Sequence, residues 1–168
     1  MRRYPVALFT AAAVVVGLDQ LTKQLALSGL DDGPIDLVGS LRLFLTFNDS
    51  AAFSIGGGRT SWIAALGLVI AAVVLIVGLR ADDRLTAIGY GTLFGGAAGN
   101  LTDRIFRDGN GALGGRVVDF VDPGWWPVFN VADVALWVGI AVLLVAARRR
   151  DRADAEPAAS GAPTATST

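Results

Sequence analysis

Four stretches of nearly unbroken apolar sequence, residues 6–27, 62–79, 85–105 and 129–147, decide what this chain can become. Each approaches the roughly 20 residues that one α-helix needs to cross the hydrocarbon core of a bilayer. With 53% hydrophobic and only 17% charged residues among 168, the chain has too little polar surface to cover an ordinary soluble domain. The expected fold is an all-α polytopic membrane protein with four transmembrane helices. The first stretch follows Arg2 and Arg3, as the apolar run of a signal peptide would, but no small-x-small site closes it. It runs on as "LDQLTKQLAL", where Leu18, Leu21 and Leu25 keep helical spacing, so it is read as a retained helix.

Basic residues orient the bundle. Arg2, Arg3, Arg80, Arg84 and the run Arg148, Arg149, Arg150 and Arg152 flank helix ends that an even number of crossings puts on one side. The positive-inside rule makes that side, and both termini, cytoplasmic. The opposite ends carry Asp19 and Lys23, then Asn100, Asp103 and Arg104, then Asn130 and Asp133, so polar residues converge outside. Between the first two helices, "IDLVGSLRLFLTFN" alternates in part and predicts a small extracytoplasmic β element over about 35–55. Residues 106–128 are glycine-rich and end in "DPGWW", whose tryptophans suit the headgroup level, so an outer loop is expected there. Residues 1–150 form a single membrane-embedded domain in this reading, and 151–168 a disordered cytoplasmic tail.

The chain contains neither cysteine nor histidine. Thiol nucleophiles, disulfides, histidine triads and histidine- or cysteine-ligated metals are therefore excluded, and proton transfer falls to carboxylates, lysine or tyrosine. A net charge of −1 with scattered arginines gives no footprint for nucleic acid.

Asp133 stands one turn inside the fourth apolar stretch. Asn130 and Asp133 have the spacing of a capping box, which would account for the carboxylate by itself. A second acid, Asp119 in "GGRVVDFVD", lies on the same side, and the turn-rich stretch between them can bring the two together. Two carboxylates in one dry site cannot both ionise easily, so one keeps a proton and the pair offers an acid and a base at once. Asp122 competes with Asp119 for that role, but it precedes Pro123 in a turn-like setting, whereas Asp119 has apolar flanks. Asp19 and Lys23, four apart, can form an intrahelical ion pair and read as site support. Gly95 and Gly99 permit close helix approach, and Asn48 reads as a loop residue on its own. Two rival readings remain: a non-enzymatic bundle in which the acids are caps and ion pairs, and a proton-coupled carrier.

Five stretches, "DQLTKQ" at 19–24, "FNDSAAFS" at 47–54, "GGAAGNLTDR" at 95–104, "VVDF" at 117–120 and "FNVAD" at 129–133, together resemble the lipoprotein signal peptidase (signal peptidase II) family of bacterial membrane aspartyl proteases. They occur in the family's order from the first helix to the last. The resemblance implies a four-helix bundle with a small outward β-cradle, multi-pass in the plasma membrane, with its active site near the extracytoplasmic face. It implies an endopeptidase that cleaves prolipoproteins before a diacylglyceryl-modified cysteine, without metal or cofactor and with no obligate protein partner beyond its substrates and membrane lipids. It carries the catalytic role to Asp119 and Asp133, and supporting roles to Asp19, Lys23, Asn48, Asn100, Asp103, Arg104 and Asn130. The chain departs from the family at Ser50, where glycine is usual, and in the long connection between Arg104 and Val117.

Overall fold

A computed structural model describes residues 3–48, 59–107 and 115–160 of the chain. It is mostly helical, with one small antiparallel sheet. In chain order the elements are α1 (Pro5–Gly29), β1 (Ile35–Val38), β2 (Leu41–Asn48), α2 (Arg59–Gly78), α3 (Arg84–Phe106), β3 (Val117–Asp122) and α4 (Val131–Ser160). Pro5 opens α1 at a position where a helix needs no N–H donor, and the Asp83 carboxylate caps α3 by accepting from Thr86 N at 2.8 Å.

α3 sits at the centre, packed on α1, α2 and α4. Its glycines make this possible. A Cβ on Gly95 would lie 2.9 Å from the carbonyl oxygen of Ala12 in α1, and one on Gly96 would lie 2.6 Å from that of Ala132 in α4. Side chains there would push the backbones apart.

The distribution of polarity is inverted relative to a soluble bundle. Asp19, Lys23, Asp103 and Asn130 are fully buried, while Leu21, Leu66, Ile76, Trp137 and Leu144 are exposed. Such a surface is stable only against another apolar phase. α1 and the Val131–Ala155 part of α4 are long and apolar enough to cross a membrane; the apolar part of α2, Ala65–Gly78, is shorter.

The sheet, ordered β1-β2-β3, caps one end of the bundle. Gly39, at φ 60°, and Ser40 close the tight β1–β2 connection. Phe120 on β3 packs with Leu43 and Leu45 of β2 against Ala26 and Leu30 at the end of α1.

Three differences from the sequence reading stand out. "VVDF" is not loop but part of β3, paired with β2 in the register Thr46 to Asp119 and Phe47 to Val118. Both of its faces are covered, so the polar alternation that marks a half-exposed strand is absent from its sequence. The β element expected over about 35–55 is described only to Asn48, and Ser50 falls outside the described residues, as does most of the connection before Val117. α4 also continues to Ser160, past Pro157, so the first part of the expected tail is helical; Ala153, Ala155, Ala158 and Ala159 favour that state.

Candidate active site

The site is assembled where the chain turns back between β3 and α4. Asp122 starts the reversal: its Oδ1 accepts from Gly124 N at 2.8 Å, with Gly124 in the left-handed region at φ 82°. The returning chain pairs with β3 at Phe129, whose N–H donates to Val121 O at 3.0 Å and whose carbonyl accepts from Val121 N at 2.9 Å. Asn130 therefore arrives beside Asp119 just as α4 begins.

Asn130 joins the two acids. Its backbone N–H donates to Asp133 Oδ2 at 3.1 Å, and its Oδ1 accepts from Asp133 N at 3.0 Å, which is a reciprocal capping box. Its Nδ2 donates to Asp119 Oδ1 at 2.6 Å, to Asn100 Oδ1 at 3.0 Å and to Val118 O at 3.2 Å. The two readings of Asp133 are thus compatible: one carboxylate oxygen caps the helix, and the other accepts from Asn100 Nδ2 at 3.0 Å. Asn48, at the end of β2, donates its Nδ2 to Asp119 Oδ2 at 3.1 Å.

Below the two acids lies a buried charge cluster. Lys23 Nζ reaches Asp19 Oδ2 at 2.8 Å, Asp103 Oδ2 at 2.8 Å and Asn100 Oδ1 at 2.9 Å, one acceptor for each of its three hydrogens. The remaining acceptors are used as well. Asp19 Oδ1 accepts from Ala132 N at the start of α4 at 3.0 Å, and Asp103 Oδ2 accepts from Val118 N at 3.1 Å. A Cβ on Gly99 would stand 2.6 Å from Asp19 Oδ2, so this position needs glycine for close approach. Asp103 Oδ1 takes Arg107 Nε at 2.7 Å and Gln20 Nε2 at 3.1 Å. With two acids balanced by Lys23 and Arg107, the cluster is neutral as a unit. It fixes α1, α3, β3 and α4 to one another.

Burial pushes the Asp119 carboxyl up to about 6; the nearby Asp133 charge pushes the same way, against hydrogen bonds from Asn48 and Asn130 that pull it down. Asp122 differs in kind. Arg42 Nε holds its Oδ2 at 2.7 Å, and that bond together with the Gly124 N–H keeps its carboxyl below the usual range. Among the described residues, no three acids gather as a group able to hold a metal ion.

Of the residues singled out in the sequence, Asp19, Lys23, Asn48, Asn100, Asp103, Asp119, Asn130 and Asp133 fall in one continuous network. Arg104 lies half-buried in the last turn of α3, where its carbonyl accepts from Gly115 N at 3.0 Å. Gln20 and Arg107 were not anticipated. Arg107 follows Asp103 by four residues, a spacing that signals an ion pair on a helix, whereas Gln20 gave no signal beyond its place beside Asp19.

Comparison with known proteins gives a concordant result. The profile of a family described as signal peptidase (SPase) II matches residues 11–149. A lipoprotein signal peptidase of Mycolicibacterium smegmatis is 45% identical, over 90% of this chain and 69% of that protein. One of Rhodococcus jostii is 46% identical, over 82% and 70%. A solved structure described as a bacterial membrane enzyme superimposes with a TM-score of 0.72 over 87% of this chain and 96% of that one; at 24% identity it speaks for the fold alone.

Proposed function

The chain belongs to the signal peptidase II family, and on that premise we propose that Asp119 and Asp133 cleave the peptide bond ahead of a diacylglyceryl-modified cysteine in bacterial prolipoproteins. The observation that carries this reading is the Asn130 side chain, which donates to Asp119 while capping reciprocally with Asp133. Asn130 thus reaches both carboxyls, that of Asp119 through its side-chain amide and that of Asp133 through its backbone N–H.

In the proposed reaction the ionised member of the pair takes a proton from water as the water oxygen attacks the scissile carbonyl carbon. The protonated partner donates to the carbonyl oxygen as it becomes an oxyanion. When the tetrahedral intermediate collapses, the C–N bond breaks, the leaving amine receives the proton taken from water, and the carboxyl pair regains its single proton from the hydroxyl left on carbon. Asn100, Asn130 and Asn48 are positioning residues: their amides fix three of the four carboxylate oxygens, so little reorganisation is needed as charge moves.

Substrate lipid has a natural resting place. A groove of about 630 Å³ with mainly apolar walls, including Trp126, Phe129, Leu136, Trp137 and Ile140, runs along α4 and is lined at one point by Asp133 itself. An acyl chain held there would anchor the modified cysteine at the depth of the acids, spending remote binding energy on position.

In this reading all four helices cross the plasma membrane, residues 1–150 make one domain, both termini are cytoplasmic, and the acids sit near the extracytoplasmic face. The arginines at the ends of α2, α3 and α4 remote from the site support that orientation, as do the exposed Trp125 and Trp126 beside it. No second protein is required. Detergent-purified protein incubated with a diacylglyceryl-modified precursor and with its unmodified form should cleave the first alone. Cleavage of both forms, or of neither, overturns the proposal.

A further inference from the structure

The end of the bundle remote from the carboxyl pair holds a groove that the proposed chemistry does not use. It measures about 610 Å³ and lies between the first turns of α1 and α3, with Arg3, Tyr4, Val6, Thr10, Arg84 and Ile88 among its walls. Most of the lining is apolar, and among the described residues its charged members are the two arginines. Acids stand close by in sequence but are committed elsewhere. Arg150 of α4 binds Asp82 Oδ1 at 2.6 Å and also pairs with Asp83, whose carboxylate caps α3 through Thr86. Among the described residues, neither Arg3 nor Arg84 has an ion-pair partner.

Two guanidiniums beside an apolar crevice on a lipid-facing surface match one kind of occupant: a headgroup carrying a negative phosphodiester, with an acyl chain attached. We propose that this groove binds an anionic glycerophospholipid of the arginine-side leaflet. Arg3 and Arg84 hold the phosphate, and a chain lies along Val6, Ala7, Ala11 and Ile88. A zwitterionic lipid carries its own compensating cation and gains less from the same pair. The inference rests on the membrane-spanning part of the reading above and not on the peptidase chemistry.

Binding to the detergent-purified full chain, measured by native mass spectrometry, should favour phosphatidylglycerol over phosphatidylcholine by roughly tenfold or more. The Arg3→Gln/Arg84→Gln variant should lose that preference, and Arg3→Lys/Arg84→Lys should keep most of it. Arg148→Gln/Arg149→Gln, which removes equal charge from the same end outside the groove, should leave it intact. Thr10→Trp, which fills the groove without changing charge, should weaken phosphatidylglycerol by a similar factor. Equal binding of the two lipids, a preference that survives Arg3→Gln/Arg84→Gln, or an equal loss in Arg148→Gln/Arg149→Gln overturns the proposal. Each variant is also given the modified precursor. Continued cleavage shows that it is folded, and failure of the wild type to cleave counts against the peptidase reading while leaving the lipid measurement to stand.

Discussion

The two ends of the bundle use the same chemistry in opposite surroundings. At the sheet end, Lys23 is held by Asp19 and Asp103 with every side chain 0% exposed. At the other end, Arg150 is held by Asp82 and Asp83 with side chains 47%, 54% and 40% exposed. Both are direct ion pairs, but their consequences differ because a buried ion that loses its partner has no water to replace it, whereas an exposed one does. The first cluster is therefore a fixed scaffold for the carboxyl pair. The second is a clasp between α4 and the α2–α3 connection that contributes little to stability.

That contrast can be tested by removing one group at a time. The largest effect should come from Asp119→Asn and Asp133→Asn, each expected to reduce cleavage by at least the ~10²–10⁴-fold assigned to general acid–base catalysis. Asp119→Asn should also act on stability in the opposite direction. Because the folded carboxyl titrates near 6 against an ordinary value of 3.8, the wild type loses stability as pH rises between those values, by about 3 kcal/mol in all. The variant has no proton to lose there, so its melting temperature in detergent should exceed the wild type's above pH 6 and the gain should shrink toward pH 4. An Asp119→Asn protein that is less stable at pH 7 would mean that the acid is a structural member of the network.

Lys23→Met comes next, with an expected cost of about 3–5 kcal/mol, since Asp19 and Asp103 would be left buried without their shared cation. A loss under 1 kcal/mol in a melting experiment would erase the distinction between the two ends. Asn48→Ala is subtler. Its hydrogen bond lowers the Asp119 titration, so removing it should move the limb of the kcat/KM profile on which the shared proton is lost to higher pH, by roughly 0.5–1 unit. The smallest effect is expected for Arg150→Gln: about 0–1 kcal/mol, fading further in salt, with cleavage unchanged.

Much of this site was legible from spacing. The four-residue step from Asp19 to Lys23 fixes a shared helix face, and Asn130 with Asp133 spells a capping box, both realised in the structure. Local turn chemistry also separated Asp122 from Asp119: the residue before Pro123 became the start of a tight reversal, held by Arg42 and Gly124. β3 was harder, because a strand covered on both faces loses the alternation by which strands are recognised. Gln20 and the Val118 N–H were invisible as partners of Asp103, since those contacts join residues far apart in the chain.

Sequence alone determined the four apolar stretches, the absence of thiol and imidazole chemistry, the arginine-rich ends and the order of the motifs, because composition and periodicity are properties of neighbours along the chain. Only the tertiary structure decided that one asparagine binds both acids, Asp119 by its side chain and Asp133 by its backbone N–H, that Lys23 is shared between two helices, and that Arg150 takes up Asp82 and Asp83 beside Arg84. Those outcomes depend on which backbone groups and charges are left to satisfy one another once water is excluded, and that is settled by packing between segments.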